Sequence, residues 1–180
     1  MSRTNPFKKK RRSANKTLLV YGEGLAEEMF LKYLRGLYAH NSNSAVKILN
    51  GKGGNAVNIV IDADNTPGAF DRKIVVLDND KTSGEMTQAR DEAKKRNIEL
   101  LENSPCLEAM LLSVLNNGAS YANKDSSWCK GEFESKHLDK KKRTEPNEYI
   151  KIFPKTLLDA QRSKVSELNN LISLMEGERT

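Results

Sequence analysis

The sequence predicts an α/β protein with a doubly wound, mainly parallel four-stranded sheet and a helical C-terminal appendage. Between residues 17 and 116, short apolar runs of strand length alternate with segments whose apolar residues recur every three or four positions. This alternation is typical of β-α-β units, in which helices connect parallel strands. Turn-forming stretches such as NGKGGN and NTPG separate the segments, which supports the same order of elements.

The individual elements follow from the spacing of apolar residues. The strands are predicted over residues 17–21, 45–49, 73–80 and 98–103. A first helix of about fourteen residues is predicted where Ala26, Met29, Phe30, Tyr33, Leu34 and Leu37 recur with helical period. Further helices are predicted over residues 55–65, 84–96 and 106–115, with Pro105 in the first turn of the last one, a position that favours proline.

The remaining segments divide the chain into three parts. Residues 1–15 are predicted to be a basic disordered arm, residues 16–116 the catalytic domain, and residues 117–180 a basic loop with a helical extension. Residues 117–145 are polar and rich in turn formers, so the sequence assigns them no structure. Residues 146–175 have helical spacing, and this helix is expected either to cover the sheet or to bind a second subunit as a homodimer.

Charge and cysteine content restrict the class of protein. The net charge is +6 with an isoelectric point near 9.2, and the excess lies in two blocks, residues 8–12 and 136–143. Such blocks favour nucleic acid as a partner, although solvated tails explain either block alone. The sequence contains no membrane-length apolar run and no secretory signal. Two cysteines and two histidines give neither a disulfide framework nor a zinc cluster, so the cytoplasm is the expected compartment.

Two carboxylates stand two positions apart at the end of the third predicted strand. Asp78 and Asp80 follow the run IVVL, and positions two apart on a strand face the same side. Two like charges about 4 Å apart repel by roughly 1 kcal/mol in water and by roughly 4 kcal/mol at an effective dielectric near 20. Such a pair needs a cation, a shared proton, or a turn that takes one side chain into solvent, and Asp is also an ordinary turn residue.

A third carboxylate is expected at the same edge of the sheet. Glu23 follows the first strand, and in doubly wound sheets the ligand site lies beyond the carboxyl ends of the strands. Three converging carboxylates repel more strongly than two, which favours a bound divalent cation. Because the donors are oxygens, Glu23, Asp78 and Asp80 are predicted to bind Mg²⁺ or Mn²⁺ rather than zinc.

These motifs resemble the Toprim fold, the metal-binding fold of topoisomerases, bacterial primases and OLD-family nucleases. The Toprim pattern has a glutamate after the first strand and a DxD after a later one, here in LLVYGEG and VVLDND. The chain resembles more closely the RloB-like family of bacterial defence loci. Its EGxxxE, GKGG and NPCFE-like segments correspond to Glu23–Glu28, Gly51–Gly54 and the stretch SPCLE. The departures are Glu27, where the family has threonine, and Leu107, where it has an aromatic residue; both are expected to affect substrate fit more than metal binding.

The resemblance implies a Mg²⁺-dependent nuclease, acting on RNA such as tRNA or on DNA, in antiphage defence. Related effectors often work with a partner ATPase, and the chain has no GxxxxGK[ST] loop of its own. Glu23 is then a metal ligand or the general base. Glu28 and Glu108 either join the acidic edge or serve as first-turn acids of their helices. Lys52 either neutralises the scissile phosphate or is an ordinary loop lysine.

Two other interpretations remain open. The stretch VVLDNDKT also looks like the signature of haloacid-dehalogenase-type phosphatases, in which Asp78 is the nucleophile and Asp80 the acid/base. The second is a non-catalytic regulator that binds nucleic acid and uses its acids only for structure. In all of these interpretations Cys106 is expected to be a buried, inert thiol. Trp128 and the basic residues 136–143 can stack on and clamp a nucleic acid strand, and a solvated, partly disordered loop explains the same region equally well.

Overall fold

The computed structural model describes residues 16–42 and 44–177, and the predicted basic arm lies outside that range. Four strands form one sheet, and every neighbouring pair is parallel, in the order β2-β1-β3-β4. Their bounds are β1 Lys16–Gly22, β2 Ser44–Asn50, β3 Arg72–Asp78 and β4 Glu99–Asn103. The predicted α/β class and the parallel four-stranded sheet are therefore confirmed.

The helices connect these strands and continue beyond them. The first four are α1 Leu25–Tyr38, α2 Ala56–Asp64, α3 Ser83–Lys95 and α4 Leu107–Leu115. The C-terminal part contains α5 Ser126–Lys136, α6 Pro146–Ile152, α7 Lys155–Gln161 and α8 Ser166–Glu176. Among the described residues, no helix is long and apolar enough to cross a bilayer.

The alternating side chains of β1 and β3 separate two hydrophobic cores. On one face, Val20 and Ile74 pack in the same core as the buried residues of α1, α4 and α8. On the other face, Tyr21, Val75 and Leu77 pack with the apolar sides of α2 and α3. Successive side chains on a strand point to opposite faces of the sheet. The near-continuous apolar residues of β1 and β3 therefore contribute to both cores, as is typical of parallel strands that are buried on both faces.

The C-terminal extension differs from the prediction of one helix over residues 146–175. It forms the three short helices α6, α7 and α8, because Pro154 removes an amide donor after α6 and the chain turns again before Ser166. The apolar residues of α8 are buried against α1, α4 and β4 within the same chain. This extension therefore covers the sheet, and a homodimer formed through it stays a prediction.

Two further segments correct the sequence expectation locally. Residues 126–136, within the unassigned stretch, form helix α5, which begins with the Asp125 side chain accepting the Trp128 N–H at 2.7 Å, an ordinary N-cap contact. Pro105 precedes the N-cap residue Cys106 of α4 instead of lying in its first turn. Helix α5 packs on α4, which brings its side chains to the carboxyl edge of the sheet.

Candidate functional site

The carboxyl ends of β1 and β3 meet where the strand order reverses, and both end in acids. Asp78 is the last residue of β3, and Glu23 follows β1 directly. The Glu23 backbone N–H donates to the Val76 carbonyl at 3.1 Å, and its Oε2 accepts the Asp78 N–H at 3.2 Å. The sequence prediction that these two acids come together is thus confirmed in space, although their chemical roles stay predictions.

Asp78 is the most enclosed of the predicted site residues, with 3% of its surface exposed. Its Oδ1 accepts the N–H of Leu107 at the start of α4, at 2.9 Å. Burial, with the charges of Glu27 and Glu23, raises the pKa of the Asp78 carboxyl to about 7, while Lys130 acts in the opposite direction. A carboxyl with that pKa can exchange a proton near neutral pH.

Asp80 lies beyond the end of β3, and its carboxylate contacts a hydroxyl donor and an ammonium group, both of which stabilise its negative charge. Ser126 Oγ donates to Asp80 Oδ2 at 2.8 Å, and Lys81 Nζ lies 3.2 Å from Oδ1. Although burial opposes the effect, these hydrogen-bond and charge interactions hold the pKa of Asp80 below its ordinary value. Asp80 therefore carries a negative charge whenever the pH is near neutral.

Two lysines hold the acids together. Lys130 Nζ lies 3.3 Å from Asp78 Oδ2 and 3.5 Å from Asp80 Oδ2, so one ammonium group contacts both carboxylates although β3 ends at Asp78, short of the predicted strand end at residue 80. Lys81 Nζ similarly bridges Asp80 and Glu23, at 3.0 Å from the latter's Oε1. The carboxylates of Asp78, Glu108 and Asp80 raise the pKa of Lys130, outweighing the opposite effect of burial. These ammonium groups satisfy the need for positive charge between the acids.

Two more carboxylates approach Asp78 from α1 and α4. Glu27 and Glu108 are buried, with 6% and 8% of their surfaces exposed, and burial raises the pKa of both. Glu108 Oε2 is buried and has no hydrogen-bond partner within residues 16–42 and 44–177. One donor atom each from Asp78, Cys106 and Glu108 lies within 4.8 Å of the other two. The group combines two carboxylates with one thiol and includes Glu108, which the sequence analysis left between the acidic edge and a helix-capping role.

The turn between β1 and α1 explains how Glu27 enters this region. Glu27 Oε2 accepts the Gly24 N–H at 2.9 Å, the contact of a third-position glutamate that caps its own helix. A Cβ atom on Gly22 would lie 2.7 Å from the Glu27 Cβ, closer than carbon atoms approach. Glycine at the end of β1 therefore allows the helix to start close to the strand, and Glu27 bears directly on the electrostatics of Asp78 rather than on substrate fit alone.

The acids open into a cleft of about 320 Å³. Glu23, Asp78 and Glu108 line its floor, and Lys130, Lys140 and Arg143 stand around it, with further lining by Gly24, Leu25, Ala26, Glu27, Gly53 and Glu134. The cleft therefore combines a negative floor with a positive rim. This arrangement suits a cation held by the acids and an anionic ligand held by the rim.

Two of the predicted site residues do not join the acids. The Glu28 carboxylate contacts Lys32 at 2.6 Å and the amide of Asn50 at the end of β2. Lys52 is exposed on the glycine-rich turn, and only the neighbouring Gly53 lines the cleft. Glu28 thus serves the helix and the adjacent strand end, as the alternative interpretation held.

The sequence did not identify Lys81, Lys130 or the electrostatic role of Glu27. The position of Lys81 directly after the DND stretch could have indicated that it lies near these acids. Lys130 lies on a helix that the sequence left unassigned, and only the packing of α5 on α4 brings it to Asp78. Cys106 is buried as expected, and burial raises the pKa of its thiol to about 12, which keeps it protonated and inert.

Comparisons with protein-family models, curated proteins and solved structures find no significant match to this chain. The resemblance to Toprim and RloB-like proteins therefore stays a prediction from the sequence motifs. The fold class that the structure supports is α/β with a doubly wound parallel sheet.

Proposed function

We propose that this chain is a divalent-cation-dependent phosphodiester hydrolase that acts on nucleic acid. The resemblance of its GEG and DxD motifs to those of Toprim nucleases supports the reaction type. The basic rim of the cleft and the net charge of +6 support a polyanionic substrate. The same resemblance supports a role in antiphage defence beside a partner ATPase.

One observation carries the proposal: Glu23, Asp78 and Glu108, from three separate elements, line the floor of one cleft. Burial, with the charges of Glu27 and Glu23, raises the pKa of Asp78, and burial, with the charge of Asp78, raises the pKa of Glu108. Lys81 and Lys130 compensate part of this negative charge, and taking further carboxylates out of water beside them is costly. Acids that crowd one another at a strand switch point are a recognised signature of a ligand site.

The donor set fits a hard or borderline divalent cation. Carboxylate oxygens of Asp78, Glu108 and Glu23 would hold it, and the unpartnered Oε2 of Glu108 supplies a donor that no protein group satisfies. Oxygen ligands suit Mg²⁺ and Mn²⁺, and Mn²⁺ also tolerates the nearby Cys106 sulfur. When bound, such an ion supplies Lewis-acid activation of water and stabilises developing negative charge.

The other residues of the cleft bind and orient the substrate. Lys130, Lys140 and Arg143 present positive charges above the acids, where they contact the phosphate groups of a strand. Lys81 bridges Glu23 and Asp80 through its ammonium group. Glu27 fixes the turn that positions Glu23 through its hydrogen bond to Gly24. The raised pKa of Asp78 applies to the cation-free protein, and a bound cation would hold this carboxylate in its ionised form.

A cleavage panel tests this function. The purified chain, with and without its partner ATPase, is incubated with tRNA, single-stranded DNA and plasmid DNA in Mg²⁺, Mn²⁺ or EDTA. We expect cation-dependent cleavage that Asp78→Asn and Glu108→Gln abolish, while Glu28→Gln, the matched control outside the cleft, retains it. Absence of cleavage under every condition overturns the proposal.

A second candidate function follows from the lysine contacts. Because Lys81 and Lys130 neutralise Asp78, Asp80 and Glu23, the acids can instead hold α5 in place in a regulator that binds nucleic acid without cutting it. For that regulator, Asp78→Asn weakens the packing of α5 but changes no cleavage, because there is none. The phosphatase interpretation predicts a covalent phosphate on Asp78, which beryllium fluoride would mimic as a trapped adduct.

A further inference from the structure

An exposed aromatic surface lies at the N-terminal end of helix α5. It consists of Trp128, Tyr121 and Lys124. Trp128 is 40% exposed, and its ring stacks on Tyr121 with centroids 6.0 Å apart and planes 22° from parallel. Lys124 Nζ lies 5.1 Å from the centroid of the Trp128 ring, within the range of a cation–π contact. The stacked Tyr121 ring and the Lys124 ammonium over the indole hold Trp128 in place.

We propose that this aromatic surface is a stacking site for an unpaired base of single-stranded nucleic acid, so that the substrate of the adjacent cleft is single-stranded. The inference rests on the proposed function and names its substrate class. A flat, exposed indole offers a stacking face to any base. Bases in a duplex are already stacked on their neighbours, so this surface selects strands whose bases are free.

The helix itself connects the stacking site to the acids. Ser126 and Lys130, one turn apart on α5, contact Asp80 and Asp78 respectively. Trp128 lies midway between them in sequence, so its side chain leaves the opposite side of the same helical turn. The ring and the acids are thus separated by about one helix diameter, roughly 10 Å. A strand stacked on Trp128 can therefore pass the N-terminal end of α5 and enter the cleft.

The charges around the stacking site fit a polyanion better than an apolar protein partner. Lys124 Nζ lies over the ring, and Lys130 lines the cleft. The Asp125 carboxylate is occupied as the N-cap that accepts the Trp128 N–H, and the basic segment from Lys136 to Arg143 continues from the end of α5. The exposed apolar area is a single ring and not a contiguous patch, whereas protein-binding surfaces present larger apolar areas. Aromatic rings interleaved with lysines are the usual composition of single-strand binding grooves.

Because Trp128 is the chain's one tryptophan, its fluorescence reports on this site alone. The inactive Asp78→Asn variant is titrated, without divalent cations, with mixed-sequence single-stranded RNA or DNA of about 12 nucleotides and with a duplex of the same sequence. We expect quenching by the single strands, and little by the duplex. A labelled oligonucleotide then gives affinities by fluorescence anisotropy. Trp128→Ala is expected to lower the single-strand affinity about tenfold or more, while Trp128→Phe retains most of it.

Ile150→Ala is the matched control, because Ile150 is another exposed apolar side chain, 54% exposed, outside the stacking site. It is expected to leave the affinity unchanged. If Trp128→Ala binds single strands as tightly as its parent, or if the duplex quenches as strongly as the single strand, the inference is wrong. Cleavage is scored separately, so single-strand binding that depends on Trp128 without any cleavage would leave the stacking site standing and reject the hydrolase.

Discussion

Replacing Asp78 by asparagine is expected to stabilise the fold at alkaline pH. The buried Asp78 carboxyl has its pKa raised from 3.8 to about 7. At 1.36 kcal/mol for each pH unit of that difference, its charged form costs the fold up to roughly 4 kcal/mol above pH 7. Asparagine carries no charge at any pH, and its side-chain oxygen can still accept the Leu107 N–H that Asp78 accepts at 2.9 Å.

The sign of the pH dependence follows from proton binding. Between about pH 4 and pH 7 the folded chain keeps a proton on Asp78 that the unfolded chain has already lost, so the contribution of this group to stability falls as the pH rises through that window. Urea denaturation of the wild type and Asp78→Asn at pH 5 and pH 8, in EDTA, measures the difference. We expect the free energy of unfolding of the variant, relative to that of the wild type, to increase by roughly 2–4 kcal/mol from pH 5 to pH 8.

Added Mg²⁺ and the variant Asp80→Asn provide two further comparisons of stability. With a dissociation constant near 1 mM, about 10 mM Mg²⁺ stabilises the wild type by roughly 1.4 kcal/mol, and it should not stabilise Asp78→Asn. Asp80→Asn is the matched control: its carboxylate has a lowered pKa, so this variant should lose stability at pH 8. If Asp78→Asn is less stable than the wild type at pH 8, or if the difference in stability does not change with pH, the Asp78 carboxyl does not have a raised pKa in the folded protein.

Three further predictions concern the same region. Gly22→Ala should lower the free energy of unfolding by roughly 1–3 kcal/mol in urea denaturation, because the new methyl group meets the Glu27 Cβ at 2.7 Å; unchanged stability would contradict the close approach. Lys130→Ala should destabilise the cation-free protein and increase its thermal stabilisation by Mg²⁺, since an ammonium 3.3 Å from Asp78 competes with the ion; a smaller Mg²⁺ effect would reject that competition. Glu28→Gln should change Mg²⁺-dependent cleavage by no more than about twofold, and a large loss would place Glu28 in the reaction.

The order of strands and helices was predictable because each element has its own local pattern. The runs around Leu19 and Val75 are continuously apolar, as expected for strands buried on both faces, and α1 has an unbroken helical period. The C-terminal part was less predictable. Apolar residues recur with helical spacing across Pro154 in the sequence, but the helical backbone is interrupted there and again before Ser166. The structure therefore has three short helices where one was predicted.

The site was predictable only where strand ends determine it. Glu23 and Asp78 are adjacent because β1 and β3 are adjacent, and a parallel sheet places both carboxyl ends at one edge. Lys130 arrives through the packing of α5 on α4, a contact between segments without any strand pattern. The sequence left the role of Glu28 open, because the spacing EGxxxE does not show which of two consecutive glutamates turns inward, and here it is Glu27 that is buried.

The central claim is that carboxylates from separate elements bind one divalent cation at the carboxyl edge of the sheet. Calorimetric titration of Mg²⁺ and Mn²⁺ into the wild type at pH 8 tests it most directly, with Asp78→Asn and Glu108→Gln beside the control Glu28→Gln. We predict a saturable site in the wild type and the control that either cleft variant removes. Lack of saturable uptake by the wild type, or equal uptake by all four proteins, would contradict the claim.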